Sequence, residues 1–131
     1  MALRKNQSRL TDTEKQKFVS AVLDLKAEKQ KIDGPYTYDK YVQWHKDTVD
    51  DATGRNDAHK GPAFFAWHRV FLLEFEKDLQ RISGDPNLGL PYWDWRFDNF
   101  PISSIWGNNF MGGNGNGAGF LCTTAPHTPL S

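Results

Sequence analysis

The stretch from His59 to Ile82, HKGPAFFAWHRVFLLEFEKDLQRI, constrains this chain more than any other. From Pro62 on, its apolar residues keep helical period. Phe64, His68, Phe71, Leu72, Phe75, Leu79 and Ile82 fall on one face. Pro62 suits a first helical position, where a missing N–H leaves nothing unpaired. Gly84, followed by Pro86, supplies the stop. A long amphipathic helix of this kind needs a partner for its apolar stripe.

This helix carries a histidine, His68, in the middle of its stripe. Alone, such a residue is ordinarily a core histidine hydrogen-bonded to a neighbour. Upstream, Tyr38, Tyr41, Val42, His45 and Val49 repeat the helical spacing, in a second helix read from Tyr36 or Tyr38 to Val49. His59 lies between the two, at the entrance to the long helix. Two helices each turning a histidine inward, with a third at a helix entrance, would bury three imidazoles that need partners. A metal ion accepting all three lone pairs removes that penalty. His45, His59 and His68 are therefore the candidate metal ligands. Imidazole suits copper, zinc, iron and nickel, and spacing alone leaves copper and zinc both open.

The run His59-Lys60-Gly61-Pro62-Ala63-Phe64, with Trp67-His68-Arg69, Phe71-Leu72, Phe75-Glu76 and Leu79-Gln80, resembles the first copper-binding region of tyrosinases. The segment Leu90-Pro91-Tyr92-Trp93-Asp94-Trp95 is similar to the one that follows that helix in the family. Arg4-Lys5-Asn6, the Thr11–Leu25 helix, Ile105-Trp106 and the run from Phe110 to Asn116 resemble the bacterial branch. The resemblance implies a mainly α fold, the N-terminal half of a four-helix-bundle domain. About three helices would be joined by irregular aromatic-rich and Gly-rich segments. It implies a partial copper-binding domain over residues 1–120, with an unrelated or disordered tail over 121–131 that reads as a truncation, a boundary or a frame change. It makes His45, His59 and His68 the ligands of the first copper. Phe64, one turn before His68, would pack against the liganded rings. Some relatives carry a cysteine two residues before the middle histidine, cross-linked to it; here Asp57 stands there.

The complete family site holds two coppers, each on three histidines, and performs o-hydroxylation of phenols and oxidation of catechols to o-quinones with O2. This chain has four histidines in all. The fourth, His127, stands between Pro126 and Pro129, where no helix forms. The second copper site is thus missing from these residues. The resemblance implies one copper per chain, a phenol or catechol and O2 as small-molecule partners, and activity impaired in isolation. Two further readings stand beside it. A homodimer could face two three-histidine sites across a two-fold axis. The other is a single-copper or zinc-binding module without oxidase activity, or a three-histidine zinc hydrolase; the hydrolase would need a general base near its water, and Glu74 and Glu76 are the nearest acids by sequence.

Composition adds exclusions. Sixteen basic residues balance sixteen acidic ones, which argues against a nucleic-acid or membrane partner driven by charge. No apolar run reaches the roughly 18 residues of a membrane span, and the first ten residues are too polar for a signal peptide. The expectation is a chain that starts in the cytoplasm, with export alongside a partner left open. The single Cys122 precludes an internal disulfide. Thr11-Asp12-Thr13-Glu14 reads as a capping box opening a helix whose stripe is Phe18, Val22 and Leu25. Asp33-Gly34-Pro35 reads as a turn, Asp50 to Ala58 as a polar loop, and Asn99 to Trp106 as irregular chain. The rings of Pro91–Trp95 are expected to cover the helices.

Overall fold

A computed structural model describes residues 2–29, 37–50, 53–56 and 58–112. The expected turn at Asp33-Gly34-Pro35, Asp57, most of the Gly-rich run, Cys122, His127 and the tail over 121–131 lie outside the described residues. Among the described residues the chain is mainly helical: α1 (Asp12–Ala27), α2 (Thr37–Lys46) and α3 (Ala63–Ser83). Between α2 and α3, β1 (Val49–Asp50) and β2 (Arg55–Asn56) form a small antiparallel pair, with Val49 opposite Asn56. No described helix is long and apolar enough to cross a membrane.

The helix boundaries follow local chemistry. The Glu14 N–H donates to Thr11 Oγ1 at 3.2 Å, and the Thr11 N–H donates to Glu14 Oε2 at 2.9 Å. That is the reciprocal capping box expected at α1. Pro62 immediately precedes α3, and Gly84 closes it at a φ of 66°, the left-handed geometry that favours glycine. α2 is shorter than the periodicity suggests. It ends at Lys46, because Thr48 donates its N–H and its Oγ1–H to the His45 carbonyl, the latter at 2.7 Å. Val49 leaves the helical face for β1, and the expected loop from Asp50 contains a hairpin.

The described residues fall into two compact units, one within 20–88 and the other made of residues within 2–19 and 89–112. In the first, Leu25 and Leu79 are fully buried and Tyr41 nearly so. The Tyr41 ring meets Phe75 edge-on at 5.1 Å and Phe71 at 5.7 Å, which seats α2 on α3. The Tyr41 hydroxyl lies 2.6 Å from Asp78 Oδ2 and 2.9 Å from the Glu74 carbonyl. Asp78 also receives Lys40 at 2.5 Å and Arg81, whose other nitrogens grip Glu28. This network binds the end of α1, α2 and α3 together.

In the second unit, the Gln7 N–H donates to the Tyr92 carbonyl and the Tyr92 N–H to the Lys5 carbonyl. Buried Gln7 also bonds Asp98 and Ser104. The expected aromatic cover is not present over Tyr92–Trp95: Tyr92, Trp93 and Trp95 are exposed. The Tyr92 backbone bridges to residues 5–7, and Trp93 donates its indole N–H to the Asp98 carbonyl. Asp94 pairs with Arg96, its near neighbour, and not with an inward group.

Candidate metal centre

All three candidate ligands belong to one unit, and they converge. His45 is the second-last residue of α2, His68 lies in the second turn of α3, and His59 sits in the turn between β2 and α3. One nitrogen from each lies within 4.8 Å of the other two. The His45 ring stands 4.7 Å from that of His59 and 5.9 Å from that of His68, and His59 to His68 is 5.3 Å. No carboxylate joins the group among the described residues. Glu74 instead pairs with Lys77 at 2.7 Å, and Glu76 is buried in α3.

Hydrogen bonds decide which nitrogens face the centre. His68 Nδ1 lies 2.9 Å from the Phe64 carbonyl. His59 Nδ1 lies 2.6 Å from Asn56 Oδ1. Both partners are acceptors, so both rings carry their proton on Nδ1 and leave Nε2 bare, the arrangement a liganding histidine requires. His59 Nε2 and His45 Nε2 are 3.0 Å apart. Two bare lone pairs at that separation repel, so His45 must donate a proton to His59. A cation between the two nitrogens replaces that proton and turns both lone pairs to use. Two metal–nitrogen bonds of about 2.0–2.1 Å span at most about 4 Å, so the trio needs only a small inward shift to hold one ion. The residues fit a metal.

The surroundings favour a neutral His45 ring. Burial, followed by the nearby His59 and His68, pushes the His45 imidazolium pKa below its ordinary 6.5. The Phe64 ring lies 4.4 Å from that of His68, as expected of a residue one turn earlier. Trp67 stacks on Phe71 at 5.0 Å and meets the His45 ring at 5.7 Å, with Trp44 against it at 5.5 Å. The sequence pattern does not place Trp67 on the inward face, yet it walls the site. Asn56 was also missed; its signal is an Asn three residues before a turn-borne histidine. Beside His45 opens an apolar groove of about 380 Å³ between α2 and α3, lined by Tyr38, Val42, Phe71, Leu72 and Phe75 among others.

Fold and site together define a mainly helical protein whose α2, α3 and connecting turn bring together three histidines that could hold a metal ion. Residues 35–126 match the family described as the common central domain of tyrosinase. The chain belongs to the tyrosinase family. It is 41% identical over 128 residues to a tyrosinase of Streptomyces lincolnensis, covering 96% of this chain and 43% of that protein. It is 43% identical over 117 residues to a tyrosinase of Streptomyces antibioticus, covering 88% and 40% respectively. A grixazone synthase of Streptomyces griseus is 42% identical over 118 residues, covering 86% and 36%. A solved structure described as a recombinantly expressed latent aurone synthase (polyphenol oxidase) shares the fold, with a TM-score of 0.63 at 22% identity over 81% of this chain and 23% of its own. The chain spans about two fifths of the length of these Streptomyces relatives.

Proposed function

We propose that the chain supplies the first copper site of a tyrosinase-type oxidoreductase, with His45, His59 and His68 as the ligands. The observation that carries the reading is the convergence of three ring nitrogens within 4.8 Å, two of them on rings whose other nitrogen is already hydrogen-bonded. Family membership selects copper where spacing leaves zinc open. The substrates, by kinship with tyrosinases, are a phenol or catechol and O2. Copper held by imidazoles supplies one-electron redox chemistry toward O2.

The chain's own residues prepare that chemistry. Asn56 and the Phe64 carbonyl hold the Nδ1 protons of His59 and His68, so those rings present Nε2 inward. Phe64 lies against the His68 ring, and Trp67 and Phe71 pack against the His45 ring. Oxidation of a catechol to an o-quinone removes two electrons, and one copper accepts one. Four histidines cannot supply the six ligands of a dinuclear centre. The chain by itself therefore binds one copper and has little or no monooxygenase activity.

Native mass spectrometry after copper loading and removal of excess metal tests this directly. One copper per chain is expected, and none in His68→Ala, with helical circular dichroism largely retained because Phe71, Phe75 and Leu79 still pack α3. Unchanged copper uptake in His68→Ala would refute the ligand set. Two coppers on a dimer with catechol oxidase activity would refute the impaired half-site.

A further inference from the structure

His68 and His59 are oriented by different means. His68 gives its Nδ1 proton to a backbone carbonyl of its own helix, at Phe64, which any residue at that position would present. His59 lies outside any helix, and the partner of its Nδ1 is a side chain, Asn56. The orientation of one liganding ring thus depends on the identity of one residue that is not itself a ligand.

Which atom of the Asn56 amide faces His59 follows from the backbone. The same Oδ1 lies 3.1 Å from the His59 main-chain N–H, which can only donate. The facing atom is therefore the oxygen and not the amide nitrogen. An oxygen accepts, so His59 Nδ1, 2.6 Å away, carries the proton. His59 Nε2 is left bare, 3.0 Å from His45 Nε2. Asn56 is itself fixed. Its carbonyl receives the Lys60 N–H at 3.0 Å, and it pairs with Val49 in the hairpin that follows directly on the α2 end bearing His45. Ala58, between Asn56 and His59, is fully buried and anchors the turn.

We propose that Asn56 is a positioning residue for the metal centre: its Oδ1 takes the Nδ1 proton of His59, fixes that tautomer and holds Nε2 toward His45. This rests on the three-histidine copper reading but is separable from it. The requirement at position 56 is an acceptor oxygen at that reach. Aspartate keeps the oxygen and alanine removes it.

The test is long-range ¹H–¹⁵N correlation spectroscopy of ¹⁵N-histidine-labelled chain, apo and loaded with Cu(I) alone, with a competition titration for Cu(I) affinity. In the unaltered chain His59 is expected to carry its proton on Nδ1 in both states and to bind through Nε2. Asn56→Ala is expected to show mixed His59 tautomers and to bind Cu(I) about 10–100-fold more weakly, and Asn56→Asp to recover the single tautomer and most of the affinity. Binding of His59 through Nδ1 in the unaltered chain overturns the proposal, and that result needs no variant to fold. So does an Asn56→Ala chain with unchanged tautomer and affinity, or an Asn56→Asp chain no better than Asn56→Ala. An unaltered chain that takes up no Cu(I) would refute the copper reading, while its apo spectrum still decides the tautomer.

Discussion

Glu28 receives both terminal nitrogens of Arg81, at 2.8 and 2.6 Å, and the hydroxyl of Thr37 at 2.7 Å. Those bonds, the one from Arg81 foremost, hold its carboxyl down to about 2 from an ordinary 4.5. The folded pKa lies below the unfolded one, so the contribution is whole above about pH 4.5. It is lost as the unfolded chain takes up a proton and the folded chain does not, between 4.5 and about 2. Glu28→Gln is therefore expected to lower the melting temperature at pH 6, with the gap to the unaltered chain narrowing below pH 4.5 and closing only near pH 2. A gap that stays constant across that range would show that Glu28 is not the titrating group. Solvent screening keeps the gap small, since the Arg81 side chain is half exposed. None of this network is legible in the sequence, where Glu28 and Arg81 read as solvated charges 53 residues apart. The three histidines are legible because helical period places two of them on apolar faces and the third at a helix entrance. Asn56 has no periodic signature, and only its place three residues before a turn-borne histidine marks it.

At the scale of elements, what is written locally can be read locally. The capping box of α1 and the glycine stop of α3 appear where the residues put them. Thr11→Ala should cost about 1 kcal/mol in urea denaturation, the usual worth of an N-cap. The end of α2 is harder to read, because it depends on Thr48 turning back onto the His45 carbonyl and on Val49 pairing with Asn56. Period alone runs the helix on to Val49. The aromatic segment after α3 fails for a related reason. Its apolar rings suggest burial, but with Tyr92 paired by its backbone to residues 5–7 the rings of Tyr92, Trp93 and Trp95 stand exposed. Tyr41 joins α2 to α3 through both its ring and its hydroxyl. Tyr41→Phe keeps the ring contacts and removes the bond to Asp78, so a loss of about 1–2 kcal/mol is expected. A neutral result would leave the ring packing as the sole tie.

Over the whole molecule, the metal reading concerns one unit and not the other. His45, His59 and His68 all lie within residues 20–88. An ion bound by α2, the turn and α3 binds the folded form of that unit and not its open form. At 100 times the dissociation constant this adds about 2.7 kcal/mol to the energy needed to open it. The interior that resists opening there is otherwise modest, since Val42, Phe65, Val70 and Leu72 are all exposed on α2 and α3. Amide hydrogen exchange should therefore slow on Cu(I) loading across Thr37–Lys46 and Ala63–Ser83, by up to about 100-fold under those conditions. Residues 89–112, in the other unit, should exchange as they do without metal. The same measurement on His68→Ala should show no slowing anywhere. Protection spreading evenly through residues 89–112 would mean that the two units open together, and that the site stabilises the chain as one cooperative body. Slowing confined to α2 and α3 would mean that the three histidines act as a clasp on the helix pair that carries them, the part of the fold that the helix from Ala63 to Ser83 organises.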